Sequence, residues 1–304
     1  MDVWTIKRLL DWITGYLTNK GVDSPRLSAE LLLCEVLTLE RIELYTQFDR
    51  VVAKPQLDAL HSLVKRAGEH EPVAYLVGRC EFYSLSLKIT PDCLIPRPET
   101  EELVERAILF LRDRPGSQAV LDVGTGSGCI AAAIAKNVPA AQVVATDVCE
   151  AALSVAAGNI RSLGLAERVR LLAGDLFDPV IKGLDGPAFD LIVSNPPYVS
   201  ESEYEALDKN VKDYEPKRAL LAGADGLDLY RRIIAEAAEY LKPDGALMLE
   251  IGCRQGASIS DLLAGSGDYG HVRIEKDLSG HERIVKAVRL FRPHGDEDTN
   301  ESFG

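Results

Sequence analysis

The sequence predicts an α/β protein, a parallel doubly wound sheet preceded by a small helical domain, and three observations carry that prediction. Apolar residues recur at helical spacing through the first third of the chain. An apolar strand, Ala119 to Val123, then runs into the glycine-rich turn Gly124-Thr125-Gly126-Ser127-Gly128 and on into the small-residue helix Ile130 to Ala135. After that, short apolar runs alternate with helical patterns, as expected where crossover helices cover both faces of a parallel sheet.

In chain order, Trp4 to Tyr16 reads as a first amphipathic helix. Ser24-Pro25 starts a second that runs through Leu31, Leu32 and Leu33, and Lys54-Pro55 opens a third that reaches Arg66. A hairpin-like stretch, Phe82 to Thr90, leads through Pro91 and Pro96 to a helix over Glu101 to Leu111 and the turn Arg114 to Ser117. Strands follow at Gln142 to Thr146, up to Gly174 and at Leu191 to Ser194; Ala246 to Ile251, His271 to Glu275 and Arg283 to Val288 supply the last ones. The division expected is a helical domain over 1–83, an α/β domain over 84–292 and a polar tail, 293–304, expected to be disordered. No internal repeat is evident.

The chain has 304 residues, 46% of them hydrophobic, and a formal net charge of -13, which disfavours duplex nucleic acid as a partner because phosphate binding calls for a basic patch. His61, His70, His271, His281 and His294 show no ligand spacing, so no metal is expected. Cys34, Cys80, Cys93, Cys129, Cys149 and Cys253 form no C-x-x-C pair and read as reduced. No apolar run approaches the ~18 residues of a membrane span, and the opening residues do not read as a signal peptide, so a cytoplasmic protein without a membrane partner is expected.

Two motifs carry the chemistry. Around the glycine turn, Gly124, Thr125, Gly126, Ser127 and Gly128 let a ligand approach the backbone, and Asp147 ends the next strand where an acid accepts hydrogen bonds from ribose hydroxyls. Gly126-x-Gly128-x-x-Ala131 also satisfies the dinucleotide fingerprint, so NAD competes with S-adenosylmethionine. The latter is favoured because Asp122, just before the glycines, would repel a pyrophosphate but suits an aminoacyl sulfonium, and because Gly174-Asp175-Leu176-Phe177 offers apolar contact for adenine. The second motif, Asn195-Pro196-Pro197-Tyr198, suits a planar NH2 group. The Asn oxygen and a neighbouring carbonyl can each accept one N–H, the prolines fix φ and remove donors, and the Tyr ring covers the flat face.

The chain resembles the glutamine N5-methyltransferases that modify class-I peptide-chain release factors, from about residue 5 to about residue 290. Besides the two motifs, the resemblance rests on Glu71-Pro72 to Gly78, Glu81-Phe82-Tyr83, the block Leu94-Ile95-Pro96-Arg97-Pro98-Glu99-Thr100-Glu101, Glu215-Pro216, Asp225-Gly226-Leu227, and Glu250-Ile251-Gly252 with Gln255. It implies a Rossmann-like class I methyltransferase sheet of seven strands with one antiparallel at the edge. It also implies S-adenosylmethionine as cofactor, with Gly124 to Gly128 around its methionine end, Asp147 on the ribose, Leu176 by the adenine and Asn195 bordering the same site. Asn195, Pro196, Pro197 and Tyr198 would hold the substrate amide, with Asn195, Pro196 and Tyr198 as catalytic residues. Arg97 and Glu99 would line the mouth, or form a salt bridge. The implied partner is the Gly-Gly-Gln loop of a release factor. A sister family acting on a ribosomal-protein glutamine departs after Ile-Pro-Arg, and adenine-N6 methyltransferases share the Asn-Pro-Pro-Tyr logic; these are the alternatives.

Overall fold

The computed structural model describes residues 3–181 and 188–290; the expected disordered tail lies outside the described residues. The backbone divides into two compact units, one comprising the chain up to Pro96 together with Ser202–Ala219, the other Arg97–Glu201 together with the chain from Leu220 on.

The first unit is mainly helical: α1 (Ile6–Asn19), α2 (Pro25–Leu37), α3 (Arg41–Thr46), α4 (Lys54–Gly68) and α5 (Val73–Val77), followed by the antiparallel hairpin β1 (Arg79–Phe82) and β2 (Leu85–Lys88). Ile6, Leu9, Leu10, Ile13 and Leu17 recur along one face of α1 and are buried against Leu32, Leu33, Leu60 and Val64. Thr5 caps α1 by accepting from the Arg8 amide, and Pro25 stands in the first turn of α2, where its missing N–H costs nothing. The short helices α3 and α5 add to the three expected from periodicity.

The second unit holds α6 (Pro98–Arg112), β3 (Gln118–Val123), α7 (Cys129–Asn137), β4 (Ala141–Asp147), α8 (Glu150–Ser162), β5 (Val169–Ala173), α9 (Asp178–Ile181) and β6 (Phe189–Ser194). After α10 (Glu201–Glu205) the chain passes through α11 (Lys209–Lys212) in the first unit, then returns as α12 (Asp228–Tyr240), β7 (Leu241–Glu250), α13 (Gly256–Ser266), β8 (Tyr269–Lys276) and β9 (Glu282–Arg289).

The seven strands lie in the order β5-β4-β3-β6-β7-β9-β8. Strands β3 to β7 pair in parallel, and β9 is antiparallel to both its neighbours. The antiparallel strand is therefore one place in from the edge and not at it, because the turn after Lys276 folds β9 back between β7 and β8. β7 also starts earlier than the apolar run at Ala246, with a register irregularity between the Phe189–Leu241 and Leu191–Ala246 pairs. Leu121, Leu191, Ile192 and Val193 are fully buried, which is why these strands read as unbroken apolar runs and not as alternating ones.

The order reverses at β3, whose two neighbours are β4 and β6. In an open α/β sheet such a reversal leaves a crevice outside the carboxyl ends of the two central strands. The glycine turn follows β3 and Asn-Pro-Pro-Tyr follows β6, so both motifs face that crevice.

Candidate functional site

The glycine turn is built by backbone geometry that side chains would obstruct. Gly124, Gly126 and Gly128 have φ of 74°, 56° and 80°, in the left-handed region. A Cβ at Gly124 or Gly126 would meet nothing within 4 Å, so the space above them is open for a ligand, whereas one at Gly128 would press to 3.1 Å from Ala156 Cβ of α8. Asp147 shapes the turn: its carboxylate accepts from the Gly126 amide at 2.8 Å and from the Cys149 amide at 2.8 Å. Each carboxylate oxygen keeps a second lone pair for a hydroxyl.

Beneath the turn, Asp122 is fully buried, and its Oδ2 accepts from the Thr125 hydroxyl at 2.6 Å and the Ala131 amide at 3.2 Å. Its Oδ1, with Ser127 Oγ and Thr146 Oγ1, is buried without a hydrogen-bond partner among the described residues. Three orphaned polar atoms, at the carboxyl ends of β3 and β4 and in the glycine turn, point to a ligand or bound water. Burial, with a smaller push from the Asp147 charge, raises the Asp122 carboxyl to about 7. A cationic ligand fits two acids and an open glycine cradle; a pyrophosphate does not.

That raised pKa has a stability consequence. The folded chain keeps on Asp122 a proton that the unfolded chain has lost, so the contribution is present below the unfolded pKa of 3.8 and is lost by the time the pH passes about 7. Melting without ligand should therefore move against wild type, relative to Asp122→Asn, as the pH rises from 5 to 8. A constant difference between the two melting temperatures across that range would contradict the burial effect.

At the end of β6, Ser194 is buried and its hydroxyl donates to the Val123 carbonyl at 2.6 Å, tying the ends of β6 and β3 together. Asn195 follows, half-buried, with Nδ2 donating to Thr100 Oγ1 at 3.1 Å. Thr100, in the first turn of α6 and buried, donates its own proton to Glu250 Oε2 at 2.7 Å. Glu250 is the last residue of β7, and its backbone carbonyl accepts from the Tyr230 hydroxyl at 2.7 Å. Burial pushes the Glu250 carboxyl up to about 7, against the opposing hydrogen bond from Thr100.

Among the described residues, nothing donates to the Oδ1 of Asn195 or to the Pro196 carbonyl. Those two acceptors are what a planar NH2 group requires. The Tyr198 side chain packs on the sheet core, and its hydroxyl pKa is raised by burial. Its carbonyl is held by Gln255 Nε2 at 3.0 Å; the same nitrogen reaches the Gly226 carbonyl at 3.2 Å, while Gln255 Oε1 accepts from the Gly252 amide at 2.9 Å. Gly226 has φ 74°, and a Cβ there would overlap the Tyr198 carbonyl oxygen. The blocks Asp225-Gly226-Leu227 and Glu250-Ile251-Gly252 thus converge on the back of Asn-Pro-Pro-Tyr.

Arg97 stands at the N-cap position of α6 without a side-chain cap bond and, with Glu99, contributes to the electrostatic surroundings of both Tyr198 and Glu250, so the structure brings both residues to this end of the crevice. Leu176 is half-buried beyond β5 with φ 43°, an uncommon conformation for a leucine, and Val148, next to Asp147, is 66% exposed. The hydrogen bonds of Thr100 and Glu250, the clamp by Gln255 and the exposed Val148 are additions to the residues chosen from sequence. In the first unit, buried Glu215 accepts from the Ile95 amide at 3.2 Å, joining two further blocks. The six cysteines are free, and among the described residues no group of three His, Cys, Asp or Glu side chains could hold a metal ion and no helix is long and apolar enough to cross a membrane.

Comparison with known proteins gives two family matches: the PrmC N-terminal domain over residues 8–78 and the methyltransferase small domain over residues 106–213. The release factor glutamine methyltransferase of Rhodopirellula baltica is 46% identical over 287 residues, covering 93% of this chain and 95% of that one. That of Geobacter sulfurreducens is 44% identical, covering 93% and 96%. A solved structure, the release-factor-specific protein-(glutamine-N5) methyltransferase of Alicyclobacillus acidocaldarius, is 34% identical, covers 67% of this chain and 99% of that one, and aligns with a TM-score of 0.42.

Proposed function

This chain belongs to the release factor glutamine methyltransferase family, and from that premise we propose that it transfers a methyl group from S-adenosylmethionine to the side-chain nitrogen, N5, of the glutamine in the Gly-Gly-Gln loop of class-I release factors. The observation that carries the reading is the orientation of Asn195: its NH2 is committed to Thr100, which leaves Oδ1 as an acceptor beside the unused Pro196 carbonyl.

A carboxamide nitrogen is a poor nucleophile because its lone pair is delocalised. Asn195 Oδ1 and the Pro196 carbonyl would each accept one of its N–H bonds and so aim the lone pair. The Tyr198 ring and Pro197 would cover its flat face. The cofactor would supply an electrophilic methyl on a sulfonium whose sulfur leaves with the bonding pair, so the protein needs no nucleophile of its own; the amide nitrogen, acidic once methylated, gives its surplus proton to water, so no general base is required. Holding reacting atoms ~3 to 3.5 Å apart in line is worth on the order of 7 kcal/mol or more. Gly124 to Gly128, over Asp122, would hold the aminoacyl end. Asp147 would take the ribose hydroxyls on its remaining lone pairs, and Leu176 and Val148 would give the adenine apolar contact.

Asp147→Asn is expected to weaken cofactor binding by about tenfold or more, since one carboxylate both shapes the turn and accepts the diol, and charge-assisted hydrogen bonds are worth roughly 1.5–3 kcal/mol each. Calorimetric titration with S-adenosylmethionine checks it; unchanged affinity would remove Asp147 from the site.

The helical domain would contact the folded release factor beyond the reacting loop, and the enzyme would work in the cytoplasm where termination occurs. Incubation with labelled cofactor and either a class-I release factor or a variant with alanine in place of the loop glutamine tests the reading. Label in the first alone supports it; label in both, or in neither while added nucleic acid takes it up, overturns it.

A further inference from the structure

We infer that Thr100 and Glu250 form a positioning relay that dictates which way the Asn195 amide faces, an inference that rests on the glutamine reading above. The order of donors is Asn195 Nδ2 to Thr100 Oγ1 at 3.1 Å, and Thr100 Oγ1 to Glu250 Oε2 at 2.7 Å. Thr100 and Glu250 are 2% and 1% exposed, so water does not compete for either bond.

A threonine hydroxyl has a single proton, and here a carboxylate takes it. What the hydroxyl then offers Asn195 is a lone pair, which only the NH2 of the amide can meet. The flipped amide would set Oδ1 against an oxygen with no proton to give. It would also turn the Asn195 NH2 toward the substrate's own NH2, donor against donor, and no lone pair would be aimed. Glu250 touches neither substrate nor cofactor in this arrangement; it acts through Thr100, 150 residues away in sequence.

Protonation of Glu250 would reverse the relay. Its carboxyl would become a donor, the Thr100 proton would be released toward Asn195, and the flipped amide would be favoured. The charged and titratable groups that act on Glu250 are Arg97 just before α6, Glu99 in its first turn, Arg283 on β9, Tyr198 after β6 and Tyr230 on α12. At saturating cofactor and release factor, kcat should rise from pH 6 to pH 8.

The test compares wild type with Thr100→Val, Thr100→Ser and Glu250→Gln, measuring kcat and KM for the release factor from pH 6 to 8, cofactor affinity by calorimetry, and melting temperature. Thr100→Val should lose kcat by tenfold or more, with cofactor affinity within about threefold of wild type. Thr100→Ser, which restores the hydroxyl, should recover most of kcat. Glu250→Gln, which keeps the shape without the titration, should lose the pH dependence. Full kcat in Thr100→Val, equal losses in valine and serine variants, or an unchanged pH profile in Glu250→Gln would each overturn the relay. Should the valine variant not fold, the serine and glutamine variants decide it. A wild type that puts no methyl on the release factor would remove the functional reading itself, and the relay with it.

Discussion

Asn195→Ala is expected to lower kcat for release factor methylation by about 10³-fold or more while changing cofactor affinity by less than about tenfold. Transfer from an activated sulfonium needs little from the protein except alignment, so the loss of an acceptor that fixes the nucleophile falls on the rate and not on ground-state binding. The backbone at this point is held independently, by Ser194 to Val123 on one side and by Gln255 to Tyr198 on the other. Truncating the Asn195 side chain should therefore leave the turn in place. Single-turnover rates with saturating cofactor, together with calorimetry, measure the two quantities separately. Turnover comparable to wild type would refute the role given to Asn195.

Gly226→Ala is expected to be the most damaging substitution among residues that would not touch substrate. An added methyl would overlap the Tyr198 carbonyl oxygen and stand 2.9 Å from Gln255 Nε2, at a φ of 74° that alanine rarely adopts. Overpacking and the left-handed conformation together cost about 2–5 kcal/mol unless the turn moves, and a shift of about 1 Å at the substrate amide can cost about 10²-fold in rate. We therefore expect a lowered melting temperature and kcat reduced by about 10²-fold, with cofactor binding less affected because the glycine turn after β3 is elsewhere on the sheet edge. Activity and melting both close to wild type would show that the close approach at Gly226 has no functional weight.

The parts of the site that could be read from sequence are those whose physical requirement is local. Gly124, Gly126 and Gly128 announce themselves because three left-handed glycines after an apolar run have few other uses, and Asn195 to Tyr198 because two prolines end a strand unmistakably. Asp147 is legible by its place at a strand end. Thr100, Glu250 and Gln255 stand in blocks that carry the family resemblance, but their roles depend on pairings across the sheet: 95 residues separate Asn195 from Thr100 and 57 separate Gln255 from Tyr198. No periodicity encodes such partners. Gly226 is similar, since its reason for being glycine is a carbonyl from another segment. The placement of β9 between β7 and β8 also lies beyond local pattern, because strand order is set by which edge remains open when the final hairpin docks. Likewise nothing in the composition of Ser202–Ala219 indicates that this stretch packs with the helical unit; the burial of Glu215 against the Ile95 amide becomes visible only in three dimensions.

The central claim is that the crevice between β3 and β6 aligns a glutamine amide for methyl transfer. Its most direct test is fragmentation mass spectrometry of a recombinant class-I release factor after incubation with this enzyme and S-adenosylmethionine. The expected result is a single added methyl located on the side-chain nitrogen of the Gly-Gly-Gln glutamine, absent when Asn195→Ala replaces wild type. A methyl on any other residue, or no methyl with cofactor binding confirmed on the same preparation, would contradict it.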